Sequence, residues 1–142
     1  MKIQTKVSKE VMEIINKEGV CYAKNKTTFS EYAYNYLKEV THYNGLFFGI
    51  MNNDYAVRNS EHVKDLTSLS NTNNTVTLVL DIPNTEYYAH DYYSFSDLIF
   101  YHDEGELDTV EIIKDEILKP HLKDVVQCVF DRIQKEWIKE IN

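Results

Sequence analysis

Residues 75–100 read "TVTLVLDIPNTEYYAHDYYSFSDLIF", and the fold turns on this stretch. Its first eight residues are rich in β-branched and aliphatic side chains, which suit a half-buried pleated surface and predict a strand over about 75–82. Pro83 ends it, because a proline has no amide to give to a ladder. "EYYAHD" continues as extended chain over about 86–91, with alternate residues pointing inward. "SFSDLIFYHD" then predicts a short helix over about 95–102, capped by Ser94 or Ser96.

Working outward, "KIQTKV" alternates and predicts a strand at about 2–7. The segment after it predicts a helix at about 9–18, with Ser8 as its N-cap and Gly19 just past its end. Short apolar runs predict strands at about 20–23 and 46–50, with Gly49 marking a close approach or a bulge. Between them, Phe29, Tyr32, Ala33, Tyr36, Leu37 and Val40 form one helical stripe, which predicts a helix over 29–40 with Tyr34 facing solvent. A helix at about 60–67 follows, then the polar loop "SNTNN". "DTVEIIKDEIL" predicts an acidic amphipathic helix over 108–118 with Val110, Ile113 and Ile117 inward. "VVQCVFDRI" predicts a last core strand over 125–133, with Trp137 and Ile141 packed beyond it. No linker or repeat divides residues 1–142, so the expectation is a single mixed α+β domain with short antiparallel strands.

The chain has 142 residues, 43% hydrophobic and 13% aromatic, as expected of a folded protein. No apolar run approaches the roughly 18–20 residues that span a bilayer. "MKIQTKVSKE" has no apolar signal core, so the expected compartment is the cytoplasm of a bacterium or of a phage-infected cell. Cys21 and Cys128 lie far apart in apolar runs and read as buried, reduced thiols.

The net charge of −8 is concentrated in one sector. Residues 81–116 hold eleven acidic side chains against Lys114 alone, and the rest of the chain nearly balances. Such a field repels phosphate backbones and attracts basic surfaces, so direct nucleic-acid binding is disfavoured. Glycine-rich phosphate loops, nucleophile elbows and zinc-helix motifs are all absent from the sequence. His90 precedes Asp91 and His102 precedes Asp103, but their spacing matches no metal-ligand pattern, and no metal site is expected.

"TLVLDIPNTEYYAHDYYSFSDLIF" resembles the central segment of a bacterial family, the domain of unknown function 3841. Leu78, Leu80, Ile82 and Pro83 match its L-x-L-x-I-P opening, and Asp91 with Tyr92 match its Asp-aromatic step. "YAYNYLKEV" and "VVQCVFDRIQKEWIKEI" resemble its A-Y-D-W-L helix and its closing strand, with Gln127 on that strand's glutamine. The family's Trp-His pair becomes Phe95 and Ser96 in this chain. More loosely, the order of elements is similar to the ADP-ribosyltransferase fold. That resemblance implies a small enzyme using NAD or another nucleotide, with Gln127, His90 and Asp91 at its site. A neutral amide at 127 could not lend the charge that a late glutamate gives such a site.

The favoured expectation is a non-enzymatic binding module without cofactor, whose sector 81–116 docks a basic protein surface. Tyr87, Tyr88, Asp91, Tyr92, Tyr93, Asp97, Tyr101, Asp103, Glu104 and Glu106 form the expected contact set. The carboxylates stand in for phosphates and the tyrosine rings supply rigid anchor area. The composition resembles that of small acidic phage proteins that block host nucleases, which implies an anti-defence role against a nucleic-acid-binding host protein.

Overall fold

The computed structural model describes residues 1–25, 31–53, 56, 58–59, 74–121 and 124–142. The helix expected over 60–67, most of the "SNTNN" loop and positions 29–30 lie outside these residues. Strand β1 (Lys2–Ser8) runs into helix α1 (Lys9–Glu18), followed by β2 (Val20–Tyr22), α2 (Glu31–Thr41), β3 (Phe47–Met51), β4 (Thr75–Asp81) and β5 (Tyr88–Asp91). Helices α3 (Tyr92–Asp103) and α4 (Leu107–Glu116) come next, then β6 (Val126–Phe130), β7 (Arg132–Gln134), a 3₁₀ turn (Lys135–Trp137) and β8 (Ile138–Ile141). The architecture is α+β, as the sequence predicts.

Six strands form one sheet in the order β5-β6-β3-β1-β4-β8, and every neighbouring pair is antiparallel. β1 and β4 hold the longest register, from Lys2 opposite Asp81 to Ser8 opposite Thr75. Alternation then separates two faces. Ile3 and Val7 of β1, Leu78 and Leu80 of β4, and Cys128 and Phe130 of β6 pack with Met12 and Ile15 of α1 and with Trp137. Val129 of β6 faces the other way, against Ala33 and Leu37 of α2, Phe95 and Leu98 of α3, and Val110 of α4.

Local chemistry sets the element ends. The Ser8 side chain accepts a hydrogen bond from the Val11 amide at the start of α1, and Gly19 closes the helix at φ +82°. In β3, a Cβ on Gly49 would overlap Ile3 Cγ2 and stand 2.9 Å from the Gln4 carbonyl. The close approach expected there is real, because β1 and β3 meet where only a hydrogen fits.

Several expectations are corrected. Tyr34 does not face solvent: it is 2% exposed, its hydroxyl accepts from the Leu46 amide at 3.2 Å and donates to the Lys24 carbonyl at 3.4 Å. Helix α2 is therefore wedged against the loops at both its ends as well as the sheet. The strand expected over 125–133 breaks at Asp131, whose carbonyl accepts from the Ala23 amide at 2.8 Å. Beyond the break, β7 leaves the main sheet and pairs with β2, Cys21 opposite Ile133. β8 is an unforeseen sixth strand; Trp137 is buried as expected, but Ile141 is 58% exposed. Neither Ser94 nor Ser96 caps α3. Asp91 does, its Oδ2 accepting from the Ser94 amide and hydroxyl, each at 2.8 Å.

Candidate functional site: the acidic α3–α4 hairpin

Residues 92–116 form an antiparallel helical hairpin inserted between the two strands at one edge of the sheet. Asp91 and Ile117 frame it, and the Asp91 amide donates to the Ile117 carbonyl at 3.0 Å, closing the excursion with one bond. Next to it the Tyr92 amide donates to the Val125 carbonyl at 3.1 Å. Phe95 and Leu98 of α3 and Val110 of α4, with Ile117 just beyond, turn toward the sheet. The opposite face looks outward.

That outward face is strongly acidic. Asp97, Asp103, Glu104, Glu106, Asp108, Glu111, Asp115 and Glu116 are all exposed. The sector's single cation points the other way. Lys114 Nζ lies 5.1 Å from the ring centroids of both Tyr32 and Tyr36 on α2, and 3.5 Å from Glu111 Oε1. Its ammonium is held above the ordinary lysine range, chiefly by the Tyr32 hydroxyl and then by Glu111. Tyr32 also stacks on His102 of α3, with centroids 3.9 Å apart and planes within 5°. Aromatic rings of α2 thus hold the hairpin's one cation, still fully charged, on the side that faces α2.

The expected contact residues divide into two groups. Asp97, Asp103, Glu104 and Glu106 are exposed on the hairpin, and Tyr93 is 48% exposed beside them. Tyr88 is 42% exposed but sits on β5, edge-on to Tyr43 at 5.7 Å. Tyr87, Tyr92 and Tyr101 are half-buried and pack on the cores. Asp91 is the helix cap. Most of the rings are therefore structural, while the carboxylates of the hairpin are exposed to solvent.

What residue-by-residue reading missed is the apolar part of this surface. Phe100 is 56% exposed, Leu107 62% and Ile112 67%. Of the ten exposed large hydrophobic side chains among the described residues, six fall within 88–118, so the exposure is concentrated and not scattered. A signal was present: Tyr93, Asp97, Phe100 and Glu104 follow helical spacing on one stripe, which Leu98 and Phe95 oppose.

His90 and Gln127 do come together. They are register partners across β5 and β6, with His90 Nε2 2.6 Å from Gln127 Oε1. The amide oxygen faces Nε2, so that nitrogen carries the proton and donates, leaving Nδ1 a bare acceptor. Nδ1 is buried, with no hydrogen-bond partner among the described residues. The Phe95 ring lies 5.3 Å away. His90 is 0% exposed and Gln127 6%. Desolvation drives the His90 pKa down to about 4, against smaller opposing effects from Gln127 and Asp91. The imidazole is neutral and sealed. An open depression of about 530 Å³ elsewhere is lined by Gly19, Gln134, Lys135 and Glu136, and this pair takes no part in it.

His102 and Asp103 approach to 3.9 Å on the hairpin. Among the described residues, no group of three or more His, Cys, Asp or Glu side chains is placed to hold a metal ion. Cys21 and Cys128 are buried free thiols, and desolvation pushes Cys128 up to about 12, far from a reactive thiolate. No helix among the described residues is long and apolar enough to cross a membrane. Set against family models, curated proteins and solved structures, the chain matches none.

Proposed function

We propose that this protein is a non-enzymatic binding module that docks a basic protein surface through the outer face of the α3–α4 hairpin. One observation carries the reading: all eight hairpin carboxylates are exposed, while the hairpin's only cation is turned onto two tyrosines. A surface of one sign steers oppositely charged partners and repels like-charged ones. Carboxylates spread over two packed helices can stand where phosphates would, so the proposed partner is a nucleic-acid-binding protein such as a nuclease. An anti-defence role in a phage or mobile element fits that partner.

A pull-down from host lysate tests this, comparing wild type with an Asp97→Lys, Asp103→Lys, Glu106→Lys variant. Asp91 is left intact because it caps α3. Captured proteins should be basic, should be lost in the variant and in high salt, and should be displaced by added DNA. Capture indifferent to both salt and charge reversal sinks the reading.

The pairing of His90 with Gln127 favours a second reading, a small NAD- or nucleotide-using enzyme. It requires Phe95 and α3 to lift from the sheet before any ligand could touch the imidazole. A thermal-shift titration with NAD decides it: saturating ligand at about a hundred times its Kd would stabilise by roughly 2.7 kcal/mol, and an unmoved transition removes the reading.

A further inference from the structure

The tip of the hairpin has features that a simple polyanion does not need. Phe100 lies one turn before the link between the helices, and Leu107 is the first residue of α4 after it. Both are more than half exposed. Asp103, Glu104, Glu106, Asp108 and Glu111 surround them in sequence, and all are exposed. Two of these acids contradict local helix chemistry. Asp103 is the last residue of α3 and Glu104 its C-cap, where the helix dipole disfavours negative charge. A sequence that breaks a local rule, with only the 3.9 Å approach of His102 to Asp103 beside it, points to a use outside the fold.

We infer that this tip docks a cationic amphipathic polypeptide segment, with Phe100 and Leu107 as apolar anchors inside a ring of carboxylates. The inference rests on the reading of the hairpin as a docking surface and names what it takes. Charge selects the occupant. Nucleic acid and anionic lipid are repelled by the carboxylates. A second copy docking tip to tip would set like charges against like. A polypeptide carrying Lys or Arg beside apolar side chains satisfies both components. The apolar contacts supply the desolvated centre that dominates binding energy, and the ion pairs form the wet rim.

Fluorescence anisotropy at low and moderate salt tests this with two labelled probes, a synthetic amphipathic helix of Lys and Leu and an oligolysine of equal charge. Wild type should bind the amphipathic peptide at least about tenfold more tightly than oligolysine. A Phe100→Ser, Leu107→Ser variant should lose that advantage while keeping weak, salt-sensitive oligolysine binding. An Asp103→Asn, Glu106→Gln, Asp108→Asn variant should lose affinity for both probes. Circular dichroism and thermal melting of each variant confirm that it folds. If the serine variant binds both probes like wild type, the anchors are wrong but the acidic docking surface survives. If the carboxamide variant is unaffected, or wild type binds neither probe, the docking reading falls with it.

Discussion

His90 Nε2 and Gln127 Oε1 meet at 2.6 Å across β5 and β6, beneath Phe95 of α3. The two side chains satisfy one another inside an apolar layer, and neither is presented to solvent. Replacing Gln127 by Leu leaves the imidazole with no partner on either nitrogen. We expect a loss of about 1–3 kcal/mol in urea denaturation, with no change in the charge of the hairpin and hence none in its salt-dependent binding.

Acid should act through the same pair. The folded pKa of His90, about 4, lies below the ordinary value of 6.5. The unfolded chain therefore binds more protons between these values, and stability falls as pH drops through that window. The stabilisation is complete above about pH 6.5 and is lost progressively toward pH 4, amounting to about 3 kcal/mol. Urea melts of wild type and of His90→Leu at pH 7, 5 and 4 should show this slope in wild type and lose its His90 share in the variant.

Lys114 pins α4 onto α2 through two rings. Lys114→Met keeps much of the aliphatic contact and removes the cation, which should cost about 1 kcal/mol. Lys114→Arg should recover most of it. Thermal melting measures both, and hydrogen exchange should show faster opening of α4 in the methionine variant only.

Asp103→Asn should do the opposite. Removing a negative charge from the C-terminus of α3 should stabilise the protein by about 0.3–1 kcal/mol, a rise of at most a few degrees in Tm. A fall in stability would show that Asp103 serves the fold rather than a partner.

Gly49→Ala tests the close pairing of β1 and β3. The new methyl would overlap Ile3 Cγ2 and crowd the Gln4 carbonyl. A loss of about 1–3 kcal/mol is expected; a neutral substitution would mean that the two strands can separate without cost.

Local signals were legible where a few neighbouring residues decide the outcome. Ser8 and Gly19 bracket α1 as their cap chemistry dictates, and the β-branched run of β4 forms the predicted strand. Features decided by distant parts of the chain were not legible. Tyr34 is buried because the Leu46 amide and the Lys24 carbonyl reach its hydroxyl, and neither belongs to its helix. Asp131 breaks a continuous apolar run because Ala23, from the other end of the chain, takes its carbonyl. Asp91 outcompeted the two serines as a cap because a carboxylate can accept from the Ser94 amide and hydroxyl together. At the hairpin, the excess of carboxylates was plain from composition. Which tyrosines turn inward, and that Phe100 and Leu107 turn outward, depended on how α3 and α4 settle on the sheet.

The single bond from the Asp91 amide to the Ile117 carbonyl gives the hairpin a common point of departure and return. A segment whose ends already touch can be lengthened at its tip with little entropic consequence for the scaffold around it. The six strands thus form a chassis, and recognition could diversify on the outward residues of this hairpin while Phe95, Leu98 and Val110 keep it seated on the platform.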